Sequence, residues 1–301
     1  MFFKNASIFT YSTLPEMDEA MFEEQMFVPC SDYQFSSAGF VVPLGFSSHL
    51  NLFGDLALLC INIEEKILPA EVVRRKADEI IERIEEKEQR KMYRKERKQI
   101  QDDVTASLLP QAFTKHKRIH AVFDLKNHLL IVDASSENQA DKMTNLIRSC
   151  TGSLPVKPIE CKYPVDMGIA GWFNANAIDN NLPSAFRIGE YARLAGNGGE
   201  VHTLKGEPEL IPMGRELIAE HNMYGAEIEL IYQNLVRVVF TKSLGIKGIK
   251  FLEFKEEDTL EENPDESDEQ RAQADILLSI SNISKIILSL CSALGGSGLK
   301  E

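Results

Sequence analysis

Between Pro69 and Lys98 the chain restricts the folds open to it. Val73, Ala77, Ile80, Ile81 and Ile84 recur every three and four positions, the period of one helix face, and Pro69 suits a first helical turn. Past Ile84 the apolar stripe thins to Met92, Tyr93 and Ile100 while the charges continue. Read as one helix to about Lys98, this segment is too polar for a core. It has to project, bridge domains or lie against a partner. A break is expected at Asp102-Asp103, then a short helical piece stopped by Pro110.

The same segment carries the chain's main basic cluster. Lys87, Arg90, Lys91, Arg94, Lys95, Arg97 and Lys98 stand against two acids, Glu88 and Glu96, within a chain whose formal net charge is −13. From Glu253 to Gln270 there are ten acids and one base, a run expected to be a solvated loop. A net negative protein argues against a generic polyanion binder, but a phosphate backbone responds to the local field, and here the charges are segregated. On a helix Lys87, Arg90, Lys91, Arg94, Arg97 and Lys98 share one side, a row of cations suited to duplex phosphates. Lys115, Lys117 and Arg118 add a second cluster. These ten residues are the candidate DNA-binding set. Only Tyr93 interleaves with the bases, which favours backbone contact and binding without sequence preference over a base-stacking platform. Two other readings stay open: a solubilising face paired with Glu82, Glu85, Glu86 and Glu88, and a scaffold whose charged helix meets a protein partner.

The period of the sequence assigns the class as α+β, multi-domain, with mixed sheets. Strands are expected at 2–11, 40–44 and 56–63, then a hairpin of 118–125 and 129–134. An amphipathic helix with Ala140, Met143, Leu146 and Ile147 ends before Gly152. Helices near 165–175 and 209–221 precede strands near 226–231, 235–241 and 246–254. A closing helix buries Ile276, Ile280, Ile283, Ile287, Leu290 and Leu294. The expected organisation is a strand-rich part of a central domain at 1–68, a projecting charged segment at 69–117, and a hairpin plus helix completing the central domain at 118–162. A second α+β domain covers 163–254, and an acidic loop with a packing helix covers 255–301.

No catalytic constellation is present. The sequence has no Walker A loop, HExxH, GxSxG, or GxGxxG after a strand. His116 and His120, read as lying across a helix–strand junction, lack a third ligand, and Pro264-Asp265-Glu266 reads as solvated charge. No metal or other cofactor is called for. Five scattered cysteines and the absence of a leader-like start fit free thiols in a reducing cytoplasm. The apolar tail Ala274–Leu294 holds Asp275, Lys285 and several serines, unlike a membrane span.

Four stretches carry a resemblance. Phe2-Phe3-Lys4-Asn5, Glu64-Glu65-Lys66-Ile67-Leu68-Pro69, Ser107-Leu108-Leu109-Pro110-Gln111-Ala112-Phe113 and Gly152-Ser153-Leu154-Pro155-Val156 resemble, in this order and spacing, the recombination-associated protein RdgC family. The resemblance implies a non-enzymatic, nucleoid-associated bacterial protein that forms a ring-shaped homodimer. Its positively charged hole takes up duplex DNA without sequence preference, and it restrains the RecA recombinase. Phe113 matches a phenylalanine at the family's subunit contact. An acidic exterior with a basic bore accounts for a −13 protein that holds DNA. Around Glu207–Tyr224, where relatives carry basic and amide groups, this chain has Glu207, Pro208 and Met223. Those contacts are not carried over.

Overall fold

Strands that alternate apolar and polar residues, and others that are apolar on both faces, build two sheets, and a computed structural model describes them over residues 3–173, 182–206, 209–252 and 267–296. Strands β1 (Ser7–Tyr11), β2 (Ser36–Phe40), β3 (Asn51–Phe53), β4 (Leu56–Ile67), β5 (Phe113–Asp124), β6 (Leu129–Val132) and β7 (Val156–Pro158) form the first. Its order is β2-β4-β5-β6-β1-β7, with β3 also on β4. Strands β8 (Phe186–Ala195), β9 (Val201–Lys205), β10 (Tyr224–Tyr232), β11 (Val236–Thr241) and β12 (Ile246–Phe251) form the second, in the order β12-β11-β10-β8-β9. Every named strand pair is antiparallel, so the sheets are not mixed as expected. Hairpins and short returns link many of the neighbouring strands, and parallel pairing would need long crossovers.

The helices are α1 (Glu19–Glu23), α2 (Ala70–Glu88), α3 (Arg94–Leu108), α4 (Glu137–Thr151), α5 (Val165–Trp172), α6 (Leu210–His221) and α7 (Asp268–Ala293). The stripe read in α7 is buried throughout: Ile276, Ile280, Ile283, Ile287, Leu290 and Leu294 join Ile8, Leu58, Val122 and Ile131 of the first sheet and Ile228, Leu230, Val238 and Phe240 of the second in one core. Each such side chain removed from water contributes roughly 1.5–3 kcal/mol. Among the described residues α7 is the one helix long and apolar enough to cross a membrane, and its apolar side is this core. The other face of the first sheet (Leu59, Ile61, Ile119, Ala121, Phe123) is closed by Ala140, Met143 and Ile147 of α4 and by Phe22 of α1. With both faces covered, β4 and β6 read as nearly continuous apolar runs, LALLCINI (broken only by Asn62) and LLIV. Helix α5 lies so close to β10 that a Cβ on Gly225 would stand 2.1 Å from Ile169 Cγ2.

Four local expectations are corrected. The strand expected at 40–44 occupies Ser36–Phe40, before Pro43. The charged helix does not run to Lys98. It stops at Glu88, where Gln89 adopts a left-handed conformation (φ 53°), and α3 then runs unbroken through Asp102-Asp103. Folding back lets α2 and α3 pack as a helical hairpin, with Ala77 and Ile81 of α2 and Val104 of α3 buried. His116 and His120 both lie on β5, because the strand starts at Phe113 rather than beyond a helix. The acidic stretch from Glu253 to Glu266, with Pro264-Asp265-Glu266, lies outside the described residues, as do Phe2, Glu207 and Pro208.

Candidate nucleic-acid interface

The α2–α3 hairpin grows from the ends of the two longest strands. β4 and β5 pair along their whole lengths, from Leu56 opposite Asp124 to Ile67 opposite Phe113, and the hairpin is the excursion between them. At 1.5 Å per residue α2 carries its far end about 28 Å from its start. Lys87, Arg90, Lys91, Arg94, Lys95, Arg97 and Lys98 gather at this tip, on the last turn of α2, the connecting turn and the first turns of α3. Lys115, Lys117 and Arg118 sit on β5 near the hairpin's root. The break in the helix thus replaces one straight row by a cluster at the tip, and the second cluster stands at the other end of the hairpin.

Glu85 organises the tip. Its carboxylate accepts from Lys91 Nζ at 2.7 Å, Arg97 Nη2 at 2.7 Å and the Met92 backbone N–H at 2.9 Å. The hydrogen bonds from Lys91, then Met92 and Arg97, hold its carboxyl at about 2. Arg90 makes a fork with Glu96 at 2.9 and 3.0 Å and also pairs with Glu88 at 2.8 Å. Glu96 reaches back to the Tyr93 N–H at 2.8 Å, closing the start of α3. Arg90, Lys91 and Arg97 are therefore paired with carboxylates inside the hairpin, and among the described residues Lys87, Arg94, Lys95 and Lys98 have no carboxylate within 4 Å. Of the acids suspected of pairing, Glu85 and Glu88 do so; Glu96 joins them, and among the described residues Glu82 and Glu86 form no such pair.

On β5, side chains alternate between faces. Lys115 and Lys117 share a side with Ile119, and Lys115 Nζ is 2.9 Å from Glu65, which Lys142 of α4 also reaches at 2.9 Å. Lys142 and Lys115 together hold the Glu65 carboxyl at about 2. Lys117 donates to Gln139 at 2.6 Å. His116 and Arg118 take the other side, where Asn62 meets His116 Nδ1 at 3.0 Å and Glu64 lies 3.7 Å from His116 Nε2. Arg118 is exposed and has no carboxylate partner among the described residues. His120, two residues further in, is held at about 4 by burial and by Arg118.

Phe113 is 84% exposed, the highest value of any large apolar side chain described, and it faces Ile67, also exposed, across the β4–β5 ladder. An aromatic ring left in water at the end of a strand offers an anchor for another surface.

One group of potential metal ligands went unsuspected in the sequence. The ligand atoms of Glu19, Glu23 and His49 lie within 4.8 Å of one another. Glu19 already accepts from the His49 N–H at 2.7 Å, His49 Nδ1 at 2.9 Å and the Leu50 N–H at 2.8 Å, so its oxygens are occupied in tying the loop before β3 to α1. The sequence also gave no sign of the cations on the second sheet, Arg187, Arg193, Arg237 and Lys250, which come singly along three strands and share a face only through register. All five cysteines are free thiols.

Against known proteins, the family described as "Putative exonuclease, RdgC" matches residues 1–297. Among similar proteins, the recombination-associated protein RdgC of Yersinia enterocolitica is 30% identical over 98% of this chain and 98% of its own. The proteins of the same name from Psychromonas ingrahamii and Tolumonas auensis are each 29% identical over 98% of this chain and 99% of theirs.

Proposed function

We propose, from the premise that this chain belongs to the RdgC family of recombination-associated proteins, that it binds double-stranded DNA without sequence preference as a ring-shaped homodimer and restrains RecA-dependent recombination. The observation that carries the reading is the projecting hairpin with seven bases at its tip on a protein of net charge −13. An acidic body repels a duplex everywhere except where cations are concentrated, so the local field chooses the binding surface. Lys87, Arg94, Lys95 and Lys98 are the tip cations free to meet phosphates, with Arg90, Lys91 and Arg97 exchanging carboxylate for phosphate. The exposed Phe113 supplies the subunit contact that closes the ring. The protein works in the cytoplasm at the nucleoid, contains no cofactor and acts by occupying DNA rather than by cutting it.

Salt tests the reading. If about 4–6 phosphates are neutralised, affinity for random duplex falls by about two to three decades between about 50 and 200 mM salt. A flat salt response, or no binding, overturns it and leaves the scaffold reading, in which the charged hairpin meets a protein partner. A second reading, a metal-dependent nuclease, rests on the family's description; a metal at the Glu19, Glu23 and His49 group would have to displace the hydrogen bonds Glu19 already accepts. Magnesium- or manganese-dependent degradation of the same duplex, lost on Glu23→Gln, would establish it.

A further inference from the structure

The register of the second sheet assembles a cationic row that no run of sequence announces. Ile231 of β10 stands opposite Arg187 of β8 on one side and opposite Arg237 of β11 on the other, and Arg237 stands opposite Lys250 of β12. With neighbouring strands about 4.8 Å apart, the row Arg187–Ile231–Arg237–Lys250 crosses four strands in about 15 Å. The alternate residues, Leu230, Tyr232, Val236 and Val238, are in the core shared with α7, so the row faces away from it.

Its electrostatics differ from those of the hairpin tip. Glu227, on the same face, is taken up by Lys247 at 3.1 Å, Arg193 at 3.9 Å and the Tyr191 hydroxyl at 2.8 Å. Glu229 is turned to the Glu190 N–H at 2.9 Å. Among the described residues none of Arg187, Arg237 and Lys250 has a carboxylate within 4 Å. Arg187 Nε donates to the Asn234 amide oxygen at 3.1 Å, and Arg237 Nε is buried with no acceptor among the described residues. Arg187 and Lys250 are exposed, while Ile231 between the two arginines is buried, as expected where long stems cover an apolar residue and hold their charged ends outward. Three cations that pair with no carboxylate among the described residues offer an anion a site on this sheet face, where Glu227 is already held by Lys247 and Arg193.

We propose that this face of the second sheet, centred on Arg187, Arg237 and Lys250, is a contact surface for the phosphate backbone of duplex DNA. The inference rests on the reading of the chain as a duplex binder and assigns that binding a second surface, separate from the hairpin. Because the contacts are to backbone, their loss weakens all sequences alike.

The test compares fluorescence-anisotropy titrations of random-sequence duplex at several salt concentrations. The full chain is set against Arg187→Glu/Lys250→Glu and against Lys126→Glu/Lys157→Glu, the same charge change on exposed residues of the β5–β6 turn and β7. The sheet-face variant is expected to lose at least about tenfold in affinity, with a log K against log salt slope shallower by about 2, while the control pair stays within about twofold of the parent. The milder Arg187→Gln/Lys250→Gln, with an unchanged melting temperature, is expected to lose about half as many decades. If the parent binds duplex and both sheet-face variants keep its affinity and slope, or lose no more than the control, this surface is excluded and the DNA-binding reading stands. If the parent binds no duplex at any salt, both fall. A loss confined to binding an acidic protein, with duplex binding intact, also excludes it.

Discussion

Ser284 of α7 donates a 2.6 Å hydrogen bond to the buried carboxylate of Asp124, at the end of β5 and 160 residues away in the chain. The same carboxylate accepts from the Asn127 N–H at 3.0 Å and the Asn127 amide at 2.7 Å, fixing the β5–β6 turn, and the Tyr11 hydroxyl donates to the Asp124 carbonyl at 3.2 Å. One residue thus ties the turn, the first sheet and the closing helix. Asp124→Ala strips the acceptor from the buried Ser284 hydroxyl and from the part-buried Asn127 N–H and amide, and should cost about 2–4 kcal/mol in urea unfolding. Ser284→Ala should cost about 1 kcal/mol, and the double variant less than the sum, since the two share one bond.

Glu85 should govern order at the hairpin tip. In Glu85→Gln, hydrogen exchange at Met92 and across residues 89–93 should rise while exchange in β4 and β5 stays unchanged. In the parent the same protection should respond to acid. A carboxyl held at about 2 contributes order that is complete above its unfolded value near 4.5 and is lost as pH falls from there toward 2. Protection at Met92 that is unaffected by the substitution would show that the turn is held by packing alone.

Phe113→Ala should leave folding nearly untouched, with a change in unfolding free energy within about 0.5 kcal/mol, because an exposed ring loses little on truncation. Self-association, measured by sedimentation at micromolar concentration, should fall. A dimer of undiminished affinity would remove Phe113 from the subunit contact.

His120 should make stability depend on pH between about 4 and about 6.5. Burial, then Arg118, hold it neutral in the folded state down to about 4, whereas the unfolded chain takes up the proton near 6.5. The unfolded state therefore binds more protons between these values. The contribution is complete above about 6.5 and is lost as pH falls to about 4, by up to about 3 kcal/mol. In His120→Phe, which also meets the Phe3 ring now 6.5 Å from the imidazole, that part of the slope should vanish from denaturation curves taken between these pH values.

The Lys87–Lys98 basic cluster was plain in the chain, yet its shape was not. A charged run that continues past Ile84 with no Pro or Gly reads as the same helix to about Lys98, even though its apolar stripe thins. The turn at Gln89 exists because α3 returns to cover Ala77 and Ile81, and Glu85 and Glu96 then cap the exposed N–H groups of Met92 and Tyr93. Both are contacts between segments, which a local pattern does not record.

What the sequence determined by itself is whatever depends on neighbours along the chain. The α7 stripe, the β5–β6 hairpin, the α4 face ending at Gly152 and the segregation of charge are all periods or runs, and local geometry converts them directly into structure. Tertiary structure alone decided which cations are spent on carboxylates and which remain open. Arg90, Lys91 and Arg97 lie near acids in sequence and in space, whereas Arg187, Arg237 and Lys250 come together only because antiparallel register lays β8, β10, β11 and β12 side by side. Charge falls off over distances through space, and the fold sets those distances.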